Sequence, residues 1–74
     1  MQPYKSNSTE PSGVTGYEIG KNFINIQFSD GSVYQYTYVT AGTAAVETMK
    51  QLAQKSQGLS TFITQHRPGF KQLD

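Results

Sequence analysis

The chain has 74 residues, 35% of them hydrophobic and 15% charged, with a formal net charge of +1; at this length it makes one domain at most, and only about 60% of the unfolded surface can be buried. With no cysteine and a single histidine, His66, a disulfide framework, a thiolate nucleophile, a Cys-based zinc site and a His-based metal cluster within one chain are excluded. No apolar run approaches the ~18 residues of a membrane span and no signal-type segment follows Met1, so a soluble, cytoplasmic protein is expected.

Residues 1–12, MQPYKSNSTEPS, show neither a helical nor a strand period. They read as a disordered arm, dispensable for folding, ahead of a single domain over residues 13–74. Residues 14–19, VTGYEI, read as a short strand, followed by a Gly20-Lys21 type II′ turn. Residues 22–28 alternate, with Ile24, Ile26 and Phe28 on one face. Residues 32–39 also alternate, with Tyr34, Tyr36 and Tyr38 on one face. The β-branched and aromatic content favours strands.

The turn between these two segments decides which faces coincide. An Asp30-Gly31 two-residue loop would put the tyrosines opposite the isoleucines' face. A Ser29-Asp30-Gly31 loop, a type I turn closed by Gly31 in the left-handed region, pairs Ile26 with Tyr34 and Ile24 with Tyr36. Burial selects the second, because a one-residue slip turns a whole strand over. The expected inner face is Tyr17, Ile19, Ile24, Ile26, Phe28, Tyr34, Tyr36 and Tyr38. The expected outer face is Glu18, Phe23, Asn25, Gln27, Val33, Gln35 and Thr37.

Two helices follow. Ala45, Val46, Met49, Leu52 and Ala53 form an amphipathic stripe over residues 43–56. Thr40 or Thr43 is the expected cap, and Gly58 the expected left-handed terminator. Leu59, Phe62, Ile63 and His66 repeat the helical spacing, with Ser60 as N-cap and Pro68-Gly69 as the stop. The predicted fold is α+β: a three-stranded antiparallel meander with two helices packed on one face.

The pattern F-x-D-G-x-x-Y-x-Y-x-x-V from Phe28 to Val39, then a helix, then Gly58-Leu59-x-x-Phe62-Ile63, resembles the KTSC domain. That family is named for a module at the C-terminus of some lysyl-tRNA synthetases, and also occurs as small stand-alone bacterial and phage proteins. Its hallmark is a central Y-x-Y, here Tyr34-Gln35-Tyr36, and the resemblance spans about residues 13–70. This chain has Thr40 where the family often has proline, and Arg67 and Phe70 where it often has a basic residue and a nearby tyrosine. The resemblance implies RNA binding, by the family's attachment to a tRNA synthetase, and implies no catalytic residues.

Charge is uneven. Residues 48–74 carry Lys50, Lys55, Arg67 and Lys71 against Asp74 alone, whereas residues 1–47 carry two lysines against four acids. The four cations are the candidate nucleic-acid contacts, on a mildly basic helical surface, with Arg67 foremost because guanidinium engages phosphate bidentately. Tyr34 and Tyr36 are expected in the core, not on an open face where bases could stack. His66 lacks any motif partner and reads as a packed or rim residue. No nucleophile elbow, phosphate loop or paired acids are present, so no enzyme, cofactor or metal is expected. The expected partner is a tRNA-like RNA. The alternative is a protein partner or a homodimer, using the outer sheet face.

Overall fold

The computed structural model describes residues 1–4 and 13–73. The elements are β1 (Gln2–Pro3), β2 (Val14–Ile19), β3 (Phe23–Phe28), β4 (Val33–Thr37), α1 (Thr43–Lys55), α2 (Leu59–His66) and β5 (Lys71–Gln72). The α+β class is as expected. The sheet, however, has five antiparallel strands in the order β1-β2-β3-β4-β5, not three. The additions are two-residue strands at either edge, too short to carry a sequence period.

The β3–β4 hairpin has the register that burial selects. Ile24 pairs with Tyr36 and Ile26 with Tyr34. Gly31 has φ 91°, and its N–H donates to the Phe28 carbonyl at 2.9 Å while the Phe28 N–H donates to the Ser32 carbonyl at 2.8 Å. These are the bonds of the three-residue loop with its left-handed glycine. Asp30 Oδ1 accepts from the Ser32 N–H at 2.9 Å. That bond holds the Asp30 carboxyl below its usual range.

The first hairpin differs from expectation by two residues, since a Gly20-Lys21 loop would pair Tyr17 with Ile24. Tyr17 pairs with Ile26 and Ile19 with Ile24, and Gly20 N–H donates to the Phe23 carbonyl. The loop is therefore Lys21-Asn22, and Gly20, which lacks a positive φ, does not make a type II′ turn. A slip of two preserves which face each side chain occupies. Gly20 is instead covered by the Phe23 ring, which would collide with a Cβ there. A bulge at Val14–Gly16 lets Val14 and Tyr17, three residues apart, both contribute to the helix side.

Ile24, Ile26, Tyr36, Val46, Met49, Ala53 and Leu59 are the buried centre of one core between sheet and helices. α1 packs on β3 and β4 and against α2. Its N-cap is Gly42, without a side-chain bond. Thr40 instead exchanges backbone-to-hydroxyl bonds with Thr37. α1 ends on left-handed Ser56, and Gly58 (φ 80°) is the N-cap of α2. The expected caps at Thr40, Thr43 and Ser60 are thus corrected. A glycine with φ > 0 starts each helix, and neither N-cap residue makes a side-chain hydrogen bond.

The arm also departs from expectation at its start. Gln2–Pro3 extends the sheet beside β2, and Tyr4 is only 6% exposed. The Tyr4 hydroxyl accepts the Leu59 N–H at 3.2 Å. This satisfies one of the donors that every helix start leaves unpaired, at a start whose N-cap glycine has no side chain to do so. Residues 5–12 of the expected arm lie outside the described residues.

Candidate binding cleft

Where α2 ends, the chain turns back over the rim of the core. Arg67 adopts φ 46°, and its N–H closes the last helical turn on the Ile63 carbonyl at 2.9 Å. Pro68 is buried. Gly69 lies so close to the Thr40 carbonyl that a Cβ would overlap it. That close approach sets the Phe70 ring on the helix side of β4, stacked on Tyr34 with centroids 4.2 Å apart and planes 8° apart. Tyr36 meets the same ring at 5.8 Å and 56°, and Phe28 tilts against Tyr34 from below.

The result is a cavity of about 360 Å³ lined by Phe28, Tyr34, Tyr36, Ile63, Arg67, Pro68 and Phe70. Its volume lies at the low end of small-ligand sites, which run from about 300 to 1,000 Å³. Its walls are aromatic and apolar, and among the described lining residues Arg67 is the one that carries a formal charge. Tyr36 is fully sealed at its ring, and burial, with Tyr34 alongside, pushes its hydroxyl up to about 12. Tyr34 is half-buried, and Phe70 remains 49% exposed. Phe70 thus stacks on Tyr34 and meets Tyr36 while about half of it remains in solvent.

The four candidate cations do not share a surface. Arg67 stands at the cleft. Lys55 is exposed at the last turn of α1. Lys71 pairs with Gln35 in β5, which places it on the outer face with Gln35. Lys50 is not solvent-facing, as its helix position had suggested. Its side chain is 13% exposed and bridges to Glu47 at 2.8 Å, donates to the Lys21 carbonyl at 2.9 Å, and sits 5.5 Å from the centre of the Tyr38 ring.

This cluster latches α1 to the β2–β3 turn. The Tyr38 hydroxyl donates to Glu47 Oε2 at 2.7 Å, with the Lys21 carbonyl 3.2 Å away. Lys50 first, and Tyr38 second, hold Glu47 below its usual range. Hydrogen bonding to Glu47 in turn raises Tyr38. The Glu47–Lys50 spacing of three on a helix signals such a pair in sequence. Nothing in the sequence pointed to the Lys21 carbonyl.

His66 is exposed and stacks on Phe62 at 4.4 Å, so it lies on the rim and not in the core. Among the described residues no group of three His, Cys, Asp or Glu could hold a metal ion, and no helix is long and apolar enough to cross a membrane. Comparison with known proteins finds no matching family model, no matching curated protein and no matching solved structure. The resemblance to the KTSC domain therefore rests on the two quoted motifs. In the structure those motifs supply Phe28, Tyr34, Tyr36 and Ile63, four of the seven cleft residues.

Proposed function

We propose that the chain is a small non-catalytic binding module for RNA, and that the cleft holds its principal contact. The observation that carries this reading is that Arg67 and a half-exposed aromatic, Phe70, line the same apolar cleft. Single-stranded RNA presents a planar base and a phosphate close together. A base takes the open face of an aromatic ring, and its phosphate takes a guanidinium. Lys55 adds a second, exposed cation; Lys50, bound within the fold, adds none.

Affinity is modest on this reading. Two phosphate contacts on a single strand give a salt slope of about −1.4, with non-specific dissociation constants of about 10⁻⁴ to 10⁻⁶ M. Fluorescence anisotropy with labelled tRNA and an unstructured RNA oligomer, across a salt series, tests it. Arg67→Ala is expected to reduce the slope by about 0.7, and Phe70→Ala to weaken binding without changing the slope. Lys50→Ala is expected to leave the slope unchanged. Absence of binding near 50 mM salt, or equal losses from Lys50→Ala and Arg67→Ala, would overturn it.

A further inference from the structure

The sheet face turned away from the helices is self-complementary. Its central cross-strand row runs Glu18, Asn25, Gln35, Lys71 across β2, β3, β4 and β5. An acid stands at one end, a lysine at the other, and two carboxamides between. Asn25 is 7% exposed. Its Nδ2 donates to Glu18 Oε1 at 3.0 Å, and its buried Oδ1 accepts from nothing among the described residues. Buried polar atoms are almost always paired, so an orphan needs a reason. In the next row Gly16, Gln27 and Val33 are cross-strand neighbours. Leu73 follows them, donating its N–H to the Val33 carbonyl with its side chain 47% exposed.

We propose that this face binds a second copy of the chain, the two sheets stacked about a two-fold axis that runs parallel to the strands between β3 and β4. Rotation about that axis lays β2 over β5 and β3 over β4. Glu18 then meets Lys71 of the second copy. Gln35 comes opposite Asn25 and brings the amide donor that Oδ1 lacks, the long glutamine side chains parting to admit it. Leu73 comes to the β2 edge at Gly16, where it meets the Met1 and Gln27 side chains that cover that glycine. Each contact occurs twice, as a two-fold interface requires. The other in-plane two-fold, across the strands, would set Glu18 on Glu18 and Lys71 on Lys71, and like charges reject it. Aligned stacking at about −30° is also a common way for two sheets to pack.

The area sets the strength. A face of about 20 by 20 Å buries roughly 800–1,000 Å² over both copies, below the ~1,200 Å² at which stable specific interfaces begin and in the range of weak, transient contacts. The association is therefore reversible and concentration-dependent. It uses none of the cleft residues, so it stands or falls apart from the RNA reading.

Sedimentation velocity over a concentration series tests it, on the full chain. The wild type is expected to pass from monomer to dimer as concentration rises towards about 1 mM, the regime of a weak complex. Glu18→Lys and Lys71→Glu each place like charges together and are expected to weaken association at least tenfold. In a one-to-one mixture the two substituted positions face each other with opposite charge, as do the two native ones. The mixture is therefore expected to dimerise at least tenfold more tightly than either variant alone. Gln35→Glu sets a carboxylate against the Asn25 acceptor and is expected to weaken association tenfold while leaving the Glu18–Asn25 bond intact. Circular dichroism confirms that each variant is folded. A wild type that stays monomeric up to about 1 mM, or a mixture no tighter than its parts, overturns the proposal.

Discussion

The two edges of the sheet are built alike and finished differently. β1 and β5 are each two residues long, and each has an aromatic beside it on the helix side: Tyr4 just after β1, Phe70 just before β5. Tyr4 is 6% exposed and its hydroxyl is committed to the start of α2. Phe70 is 49% exposed and held by ring stacking alone. A sealed aromatic with a directional bond is an anchor. A half-open one, lining the same cleft as Arg67, is the ring on which the proposed binding depends.

The sharpest way to break this comparison is to remove the anchor. Deleting residues 1–4 takes away β1 and the Tyr4 ring, and is expected to cost about 3 kcal/mol, the scale of truncating a buried aromatic. For a domain of this size each kcal/mol moves the melting temperature by roughly 4–8 °C, so a drop above 10 °C is expected by circular dichroism. A shift of only a few degrees would return the first four residues to the status of a dispensable arm.

Gly69→Ala acts at the other edge, through the backbone. The added methyl must push the 68–70 segment away from the Thr40 carbonyl. A loss of about 1–2 kcal/mol is expected, as for other overpacked positions, together with displaced Tyr34 and Phe70 ring resonances in proton NMR. Unmoved resonances would show that the close approach does not position the ring.

Phe70→Ala removes a ring that is already half in solvent. A cost of about 1 kcal/mol or less is expected, well below that of the N-terminal deletion. Equal losses on chemical denaturation would erase the distinction between the two edges.

The smallest effect concerns the rings on which Phe70 rests. Tyr36 is raised to about 12 by burial and then by Tyr34. A group raised in the folded state contributes stability below its unfolded value, near 10, and loses it as pH rises through the folded one. Spectrophotometric titration should therefore show one tyrosine ionising last, with stability falling from about pH 10 upward. Simultaneous ionisation of all five tyrosines short of unfolding would show that this ring is not sealed.

Much of the meander was legible because parity is a strong constraint. Three tyrosines and three apolar residues can share a face only with the Ser29–Gly31 loop, and Gly31 is where that loop needs positive φ. Helix limits were legible from spacing, whereas their caps were not, since a glycine cap differs from a serine cap only in local backbone angles. β1 and β5 are invisible to periodicity. The one signal in the arm was Tyr4, an isolated aromatic among polar residues. The cleft was half legible. Tyr34 and Tyr36 stood out, but their meeting with Arg67 and Phe70 depends on Gly69 folding back on Thr40. Closeness in sequence suggests one surface for the cations, but the strand register of Lys71 and the latch at Lys50 separate them.

Arg67 ends α2 with φ 46°, a conformation that costs an L-residue about 1–2 kcal/mol and glycine far less. The same position supplies the one formal charge among the described cleft residues. Tolerance to heat and capture of an anion thus pull this site toward different amino acids. A variant library sorted for survival at high temperature would drift toward glycine at residue 67 and arrive at robust domains with a neutral cleft. Sorted for retention on an RNA matrix, the library would keep arginine and the strain with it. Which residue emerges there would report the pressure that had been applied.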